Sequence, residues 1–269
     1  MLMGMAKGLG KLMRRLKLLR RLTQFSLRTL LLAVTALCVG LAGWVVPAER
    51  QRRHVALIEA LGGRIEYVAF DGSSHEALLQ TVLRRWVPLH YFDDVQGVDF
   101  ASIDVADGGL AHLEWLTDLE RINLNRTQVT DAGLAHLQGL TGLRHLSLVG
   151  TRVADNGLVH LHRLKQLEEL LLIGTRVTDA GLLHLRDLKG LRELHLDGTG
   201  LTDAGLTHLH GLTGLRELNL SGTRVTNAGV AHLHALTNLQ WLSLGSTRVT
   251  VSKLAQLRRE RPNCWVTGP

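Results

Sequence analysis

The stretch from Phe92 to Leu257 repeats one apolar pattern every 24 residues. Six full coils begin at Phe92, Leu116, Leu140, Leu164, Leu188 and Leu212, and a shortened seventh begins at Leu236. Within a coil the apolar residues fall at positions 1, 4, 7, 9, 14, 19 and 22. A fixed period of this length predicts a solenoid of stacked units, in which each coil contacts only its neighbours.

Each coil predicts a short strand, a turn and a short helix. Positions 7 and 9, such as Leu146 and Leu148, alternate with their neighbours as in a strand with one buried face. Positions 19 and 22, such as Leu158 and Leu161, share one face of a helix. The intervening Thr-Asp-Ala-Gly, as at Thr130, indicates a helix start whose threonine caps the first turn.

Two further positions are expected to join neighbouring coils. A single coil cannot stand alone, because burial worth ~1.5–3 kcal/mol per aliphatic side chain does not offset ~1–2 kcal/mol of backbone entropy per residue. Threonines at position 12 predict a ladder of hydroxyls that satisfies backbone groups at the coil junctions: Thr127, Thr151, Thr175, Thr199, Thr223 and Thr247. Glycines at position 18 predict close approach of adjacent coils: Gly109, Gly133, Gly157, Gly181, Gly205 and Gly229.

The Thr-Asp-x-Gly-Leu signature, as at residues 130–134, resembles repeats of the ribonuclease-inhibitor and F-box leucine-rich-repeat type. The whole chain is also similar to bacterial single-pass membrane proteins that carry such an array behind the segment Phe25 to Leu32. The resemblance implies an α/β leucine-rich-repeat solenoid, a curved horseshoe with parallel strands on its concave face and short helices outside. It also implies that the concave face binds the ligand, whose identity it leaves open.

The pattern divides the chain into five parts. These are a basic flank over 1–29, an apolar anchor over 30–46, an N-terminal α/β cap over 47–91, about seven coils over 92–259, and a C-terminal cap over 260–269. The N-terminal cap predicts a helix over Glu49–Leu61, a strand over Ile65–Phe70 and a second helix over Glu76–Trp86. Cys264 is expected to help close the core of the last coil.

The charge distribution argues against a nucleic-acid partner. The chain holds 31 Lys and Arg against 24 Asp and Glu, but eight of the basic residues and none of the acids precede residue 47. The remainder, with 23 basic and 24 acidic residues, is nearly neutral. The net charge of +7 therefore describes the flank of the apolar segment rather than a basic binding surface.

Leu30 to Val46 contains no charged residue and would span about 25 Å as a helix, close to the ~30 Å hydrocarbon core of a bilayer. Trp44 lies where an interfacial aromatic residue is favoured. The positive-inside rule then places the N-terminus in the cytoplasm and the repeats outside the inner membrane. The alternative is a signal peptide cleaved near Val46-Pro47-Ala48, which would make the protein secreted.

Catalytic motifs are absent, so the sequence predicts no enzyme, no cofactor and no metal site. Histidine recurs at position 21, as His112, His136, His160, His184, His208 and His232, and three of these are followed two residues later by His162, His210 or His234. A metal ladder is one interpretation. A structural repeat position is the favoured one, since residues two apart on a helix face different ways. Arginines at position 13, Arg152, Arg176, Arg224 and Arg248, are interpreted as a solvated edge rather than an anion site.

Positions 6, 8 and 10 of each coil, on the outer face of the strand, are the best functional candidates because the fold does not dictate them. The candidate ligand-binding residues are Arg121, His145, Val149, Glu169, Leu171, Ile173, Glu193, His195, Asp197, Glu217, Asn219 and Trp241. Since these side chains face solvent, their substitution is expected to cost little stability.

The candidate residues include an apolar cluster, Val149, Leu171 and Ile173, rimmed by acidic groups. The sequence thus favours a membrane-anchored, non-enzymatic recognition module for a protein or peptide, preferably a basic one. A structural spacer of the cell envelope is the first alternative. A metal-binding or enzymatic role for the histidine column is the second.

Overall fold

Nine strands of the structure form one sheet, in which each strand lies beside the strand that precedes it along the chain. The structure is a computed structural model and describes residues 49–67 and 95–268. Strand β1 is antiparallel to β2, and every later pair is parallel. The strands are β1 Arg64–Tyr67, β2 Val95–Asp99, β3 Arg121–Asn123, β4 His145–Ser147, β5 Glu169–Leu171, β6 Glu193–His195, β7 Glu217–Asn219, β8 Trp241–Ser243 and β9 Trp265–Thr267.

From β3 to β8 the chain returns between successive strands through one turn of α-helix followed by a 3₁₀ segment, where the repeat predicts a short helix. Between β2 and β3 the return is a 3₁₀ segment alone. The α-helical turns are Asp131–Leu134, Asp155–Leu158, Asp179–Leu182, Asp203–Leu206 and Asn227–Val230. The 3₁₀ segments are Asp107–Trp115, Ala135–Leu137, Val159–Arg163, Leu183–Leu185, Thr207–Gly211 and Ala231–Ala235. A longer helix, Val251–Glu260, replaces this pair in the last coil.

The seven apolar positions of each coil fill the space between the sheet and the helical side, which confirms the predicted register. In the central coil these residues are all fully buried: Leu164, Leu167, Leu170, Leu172, Val177, Leu182 and Leu185. In the strands β3 to β8 the middle residue is buried and the two flanking ones are half-buried, whereas β9 begins with the exposed Trp265. The core is therefore one continuous leucine column along the array.

The position-12 threonines satisfy turn carbonyls, but within their own coil. The Thr175 hydroxyl donates to the Leu172 carbonyl at 2.7 Å, and the equivalent bond recurs from Thr127 to Thr247. The hydroxyl column therefore satisfies turn backbone groups, as predicted, but each bond stays within one coil and does not join two coils. Each hydroxyl bonds the carbonyl three residues earlier, a local bond that threonine side chains commonly make.

The aspartate at position 16 forms the bond between coils that the threonine does not. Asp155 accepts from the backbone N–H of Thr178 in the next coil at 2.7 Å and from the Thr178 hydroxyl at 2.6 Å. Asp107, Asp179 and Asp203 make the same two bonds to the coils that follow them. Each carboxylate thus fixes the helix start of its neighbour.

The glycines at position 18 allow that aspartate to approach, which confirms the predicted close contact. A Cβ added at Gly133 would lie 2.5 Å from Oδ1 of Asp107, and one added at Gly181 would lie 2.5 Å from Oδ1 of Asp155. Both distances are far inside van der Waals contact. The Asp-x-Gly pattern therefore belongs to the junction between coils as much as to the helix itself.

Both ends of the array carry additional elements. Residues 49–60 are helical, Ile58 is fully buried in the core, and β1 extends the sheet beyond the first coil. At the other end β9 continues the parallel ladder, and Cys264 is buried as expected. No helix in the described ranges is long and apolar enough to cross a membrane. The expected anchor Leu30–Val46 and the second cap helix Glu76–Trp86 lie outside the described residues.

Candidate functional site

The candidate residues lie together on one surface, the strand face, which consists of the outward side chains at positions 6, 8 and 10. Parallel in-register pairing places equivalent positions of successive strands side by side. The column at position 6 reads Gly97, Arg121, His145, Glu169, Glu193, Glu217, Trp241 and Trp265. The column at position 8 reads Asp99, Asn123, Ser147, Leu171, His195, Asn219, Ser243 and Thr267.

Arg121, at the N-terminal end of the strand face, is held by groups that precede the second coil. Its Nε donates to Glu66 at 3.0 Å and its Nη2 donates to Gln96 at 2.8 Å. Glu66 comes from β1 and crosses the strand β2 at Gly97, where a Cβ would lie 2.5 Å from its carboxylate. This arginine therefore has two partners of its own and is less available to a ligand than the sequence suggested.

A shallow groove of about 280 Å³, lined by both polar and apolar residues, runs from this arginine to the middle of the face. His145 and Glu169 meet there across adjacent strands, with 2.9 Å between Nδ1 and Oε2. Asn125 accepts from the backbone N–H of Val149 at 2.9 Å. The groove therefore presents both hydrogen-bond donors and acceptors.

The apolar cluster Val149, Leu171 and Ile173 is half-buried rather than exposed, which differs from the expectation from sequence. Side chains of adjacent strands lie about 4.8 Å apart and cover one another on the strand face. Substitutions here should cost more stability than ordinary surface changes. The cluster still contributes apolar surface beside the groove, which Leu171 lines.

Three glutamates stand side by side in the position-6 column: Glu169, Glu193 and Glu217. Burial first, and then the charges of Glu217 and Glu169, raise the pKa of Glu193, while His195 and His145 act in the opposite direction. Like charges directly opposite each other in a sheet are destabilising. This part of the face is thus an anionic surface whose like charges lower the stability of the folded state.

Asp197 and His195 extend the acidic region toward the C-terminal end. Oδ1 of Asp197 accepts from the Asn219 amide, and its Oδ2 lies 4.0 Å from Nδ1 of His195. Burial raises the pKa of Asp197, and hydrogen bonding and His195 partly oppose the shift. The ring of His195 stacks on Trp241 with 5.8 Å between centroids.

Two contributors to this face were missed by the sequence reasoning. Trp265 is directly in register with Trp241 and its surface is 73% exposed. The 24-residue step from Trp241 could have found it, since it keeps the period beyond the last coil. Glu66 lies outside the repeat, and no pattern in the sequence ties it to Arg121.

The histidines at position 21 and the arginines at position 13 lie away from the strand face. The position-21 histidines are half-buried on the 3₁₀ segments, where His136 contacts Glu114. The position-13 arginines are exposed, and their backbone N–H groups bond the preceding coil, as Arg176 does to Val153 at 2.9 Å. Over the described ranges, the only three potential metal ligands with donor atoms within 4.8 Å of one another are Glu193, His195 and Glu217.

Known proteins share this architecture. Residues 189–249 match the family model described as leucine rich repeat. No curated protein sequence matches the chain. Internalin C2 of Listeria monocytogenes str. 4b F2365 has a similar structure, at 24% identity and a TM-score of 0.53, over 65% of this chain and 81% of that one.

A second internalin structure, inlF of the same strain, is similar at 26% identity and a TM-score of 0.51, over 70% of this chain and 53% of that one. The present chain therefore spans about half of the inlF chain. The matched family model, the 24-residue period and the shared solenoid together identify this chain as a leucine-rich repeat protein.

Proposed function

We propose that the protein is a non-enzymatic recognition module that binds a protein or peptide on its concave strand face. The observation that carries this proposal is the strand face itself. Its register repeats from coil to coil, yet its residues change from polar at Asn123 through apolar at Leu171 to aromatic at Trp241. A face built only for stability has no need of such variation.

The chemistry of the face favours a basic partner. Glu169, Glu193, Asp197 and Glu217 give its centre a negative charge, and exposed Trp265 with half-buried Trp241 provides aromatic surface beside it. Tryptophan is enriched among residues that dominate binding energies. Acidic groups around such anchors accelerate association with a cationic partner and make binding sensitive to salt.

We further propose that Leu30–Val46 anchors the protein in the inner membrane with the repeats outside the cytoplasm. The support is the uncharged segment and the eight basic residues that precede it. In this arrangement the strand face meets partners in the extracytoplasmic space. A cleaved signal peptide would place the same face in a secreted protein.

The test is co-purification with the tagged full chain, run in parallel on wild type and two variants. The strand-face variant carries Trp241→Ser and Trp265→Ser, whose side chains lie outside the leucine core. The matched control carries Arg152→Ser and Arg176→Ser, both exposed and both outside the strands. We expect a partner retained by wild type and control to be lost from the strand-face variant, and released by salt.

The proposal is wrong if the strand-face variant, folded as judged by circular dichroism, retains the same partner while the edge variant loses it. Recognition would then belong to the arginine edge. Leu171→Ser and Ile173→Ser are better avoided in the first experiment. Both side chains are half-buried, so a loss of binding could reflect a loss of folding.

A further inference from the structure

Glu193, His195 and Glu217 bring two carboxylates and one imidazole together at the C-terminal half of the strand face. One ligand atom from each lies within 4.8 Å of the other two, and all three side chains are half-buried. The backbone dictates this arrangement. Glu193 and Glu217 are direct register partners on β6 and β7, and His195 is two residues along β6 on the same face.

Among residues 49–67 and 95–268, neither Glu193 nor Glu217 pairs with a lysine or an arginine, whereas the neighbouring Glu169 contacts His145. Glu193 and Glu217 are register partners, so like charges face each other across β6 and β7. A bound cation would relieve the repulsion.

Asp197 lies beside His195, and its side chain is about a quarter exposed. Oδ2 of Asp197 is buried and has no hydrogen-bond partner in the described part of the chain, and it lies 4.0 Å from Nδ1 of His195. Histidines that bind metals commonly direct their second ring N–H at such a carboxylate, which fixes the tautomer. Stacking on Trp241 restrains the ring further. A ring protonated on Nδ1, on the side of Asp197, would leave the lone pair of Nε2 for a ligand.

We propose that Glu193, His195 and Glu217 bind a divalent transition-metal ion, of which Zn²⁺ is the best match, with Asp197 orienting the imidazole. Mixed nitrogen and carboxylate donors suit Zn²⁺, which takes four ligands. Ca²⁺ and Mg²⁺ prefer oxygen donors throughout and need more of them. Three protein ligands leave one coordination position open to water or to a group of a partner. This inference does not depend on the proposed recognition function.

The test is calorimetric titration of ZnCl₂ into the chelator-stripped full chain. The histidine column could take up Zn²⁺ as well, so the readout is the difference between variants. Relative to wild type, Glu217→Gln and His195→Gln should each lose one binding site. Asp197→Asn should keep the site with an affinity lowered about 10- to 100-fold, the usual effect of removing a carboxylate that orients a ligand.

Glu169→Gln is the matched control, because it removes a charge from the same column without removing a ligand. It should retain the Zn²⁺ site. A second readout is thermal unfolding, since a ligand that binds the folded state raises its stability. Zn²⁺ should raise the unfolding temperature of wild type and of Glu169→Gln by more than that of Glu217→Gln.

Two results would overturn the proposal. One is an unchanged number of sites and affinity in both Glu217→Gln and His195→Gln. The other is a loss in Glu169→Gln as large as that in Glu217→Gln, which would indicate diffuse attraction to negative charge. Replacing either glutamate removes a like-charge contact, so these variants should fold at least as well as wild type.

Discussion

The aspartate at position 16 is the group whose removal tests the stacking of coils most directly. Asp179 accepts from the Thr202 backbone N–H at 2.8 Å and from the Thr202 hydroxyl at 2.5 Å, both in the next coil. Asp179→Ala leaves the N–H without its acceptor. Hydrogen bonds to charged groups contribute ~1.5–3 kcal/mol, and since this junction is only half-buried we expect a loss of about 1–2 kcal/mol.

The chain itself supplies the matched control. At the last such junction the position is Asn227, whose Oδ1 accepts from the Thr250 N–H at 2.9 Å. Asp179→Asn can make the same backbone bond and should lose distinctly less stability than Asp179→Ala. The comparison therefore separates the geometry of the acceptor from its charge.

Urea unfolding of the full chain, followed by far-ultraviolet circular dichroism, measures both losses. In a domain of this size 1 kcal/mol corresponds to about 2–4 °C in thermal unfolding. Asp179→Ala should therefore also lower the thermal unfolding midpoint by ~2–8 °C. Gly205→Ala adds a further check, because its Cβ would meet Oδ1 of Asp179. The glycine substitution should cost less in the Asp179→Ala background than in wild type.

A wild-type urea midpoint for Asp179→Ala would refute the role of the aspartate as the link between coils. Equal losses for the alanine and asparagine variants would show that the charge matters and the backbone bond does not. Independent effects of Asp179→Ala and Gly205→Ala would mean that the two residues do not share one contact.

Two further predictions concern pH and topology. The raised pKa of Glu193 means that the folded state binds its proton more tightly than the unfolded chain, so this group costs stability as pH rises from the ordinary carboxyl pKa through the raised value. Glu193→Gln should therefore be more stable than wild type at neutral pH and lose that advantage in acid. An equal difference between the urea midpoints of variant and wild type at both pH values would contradict this. For topology, a reporter fused after Pro269 should be active only outside the cytoplasm, and cytoplasmic activity would exclude the proposed orientation.

Much of the fold could be predicted from periodicity alone. Burial at positions 7 and 9 of each coil and at positions 19 and 22 of its return segment follows the leucine pattern, as Leu170 and Leu172 show. Such positions are decided by solvent exclusion, which acts on each coil in the same way. The 24-residue period also implied that Glu169, Glu193 and Glu217 would be neighbours.

The site depended more on tertiary structure. The period could place Glu193 beside Glu217, but it could not show that both are half-buried or that the buried Oδ2 of Asp197 lies near His195. Those facts depend on side-chain rotamers and on packing between adjacent coils. For the same reason the sequence pattern pointed to the histidine column, and not to this group, as a possible metal site.

The sequence by itself determined the repeat, its register and the leucine core, because each of these is a local consequence of burying one face of a short chain segment. The tertiary structure alone decided which polar groups meet. Thr175 bonds within its own coil while Asp179 bonds the next, and Arg121 is occupied by Glu66 from outside the array. Hydrogen bonds and ion pairs need atoms within about 3 Å of each other. A sequence pattern cannot specify distances that short.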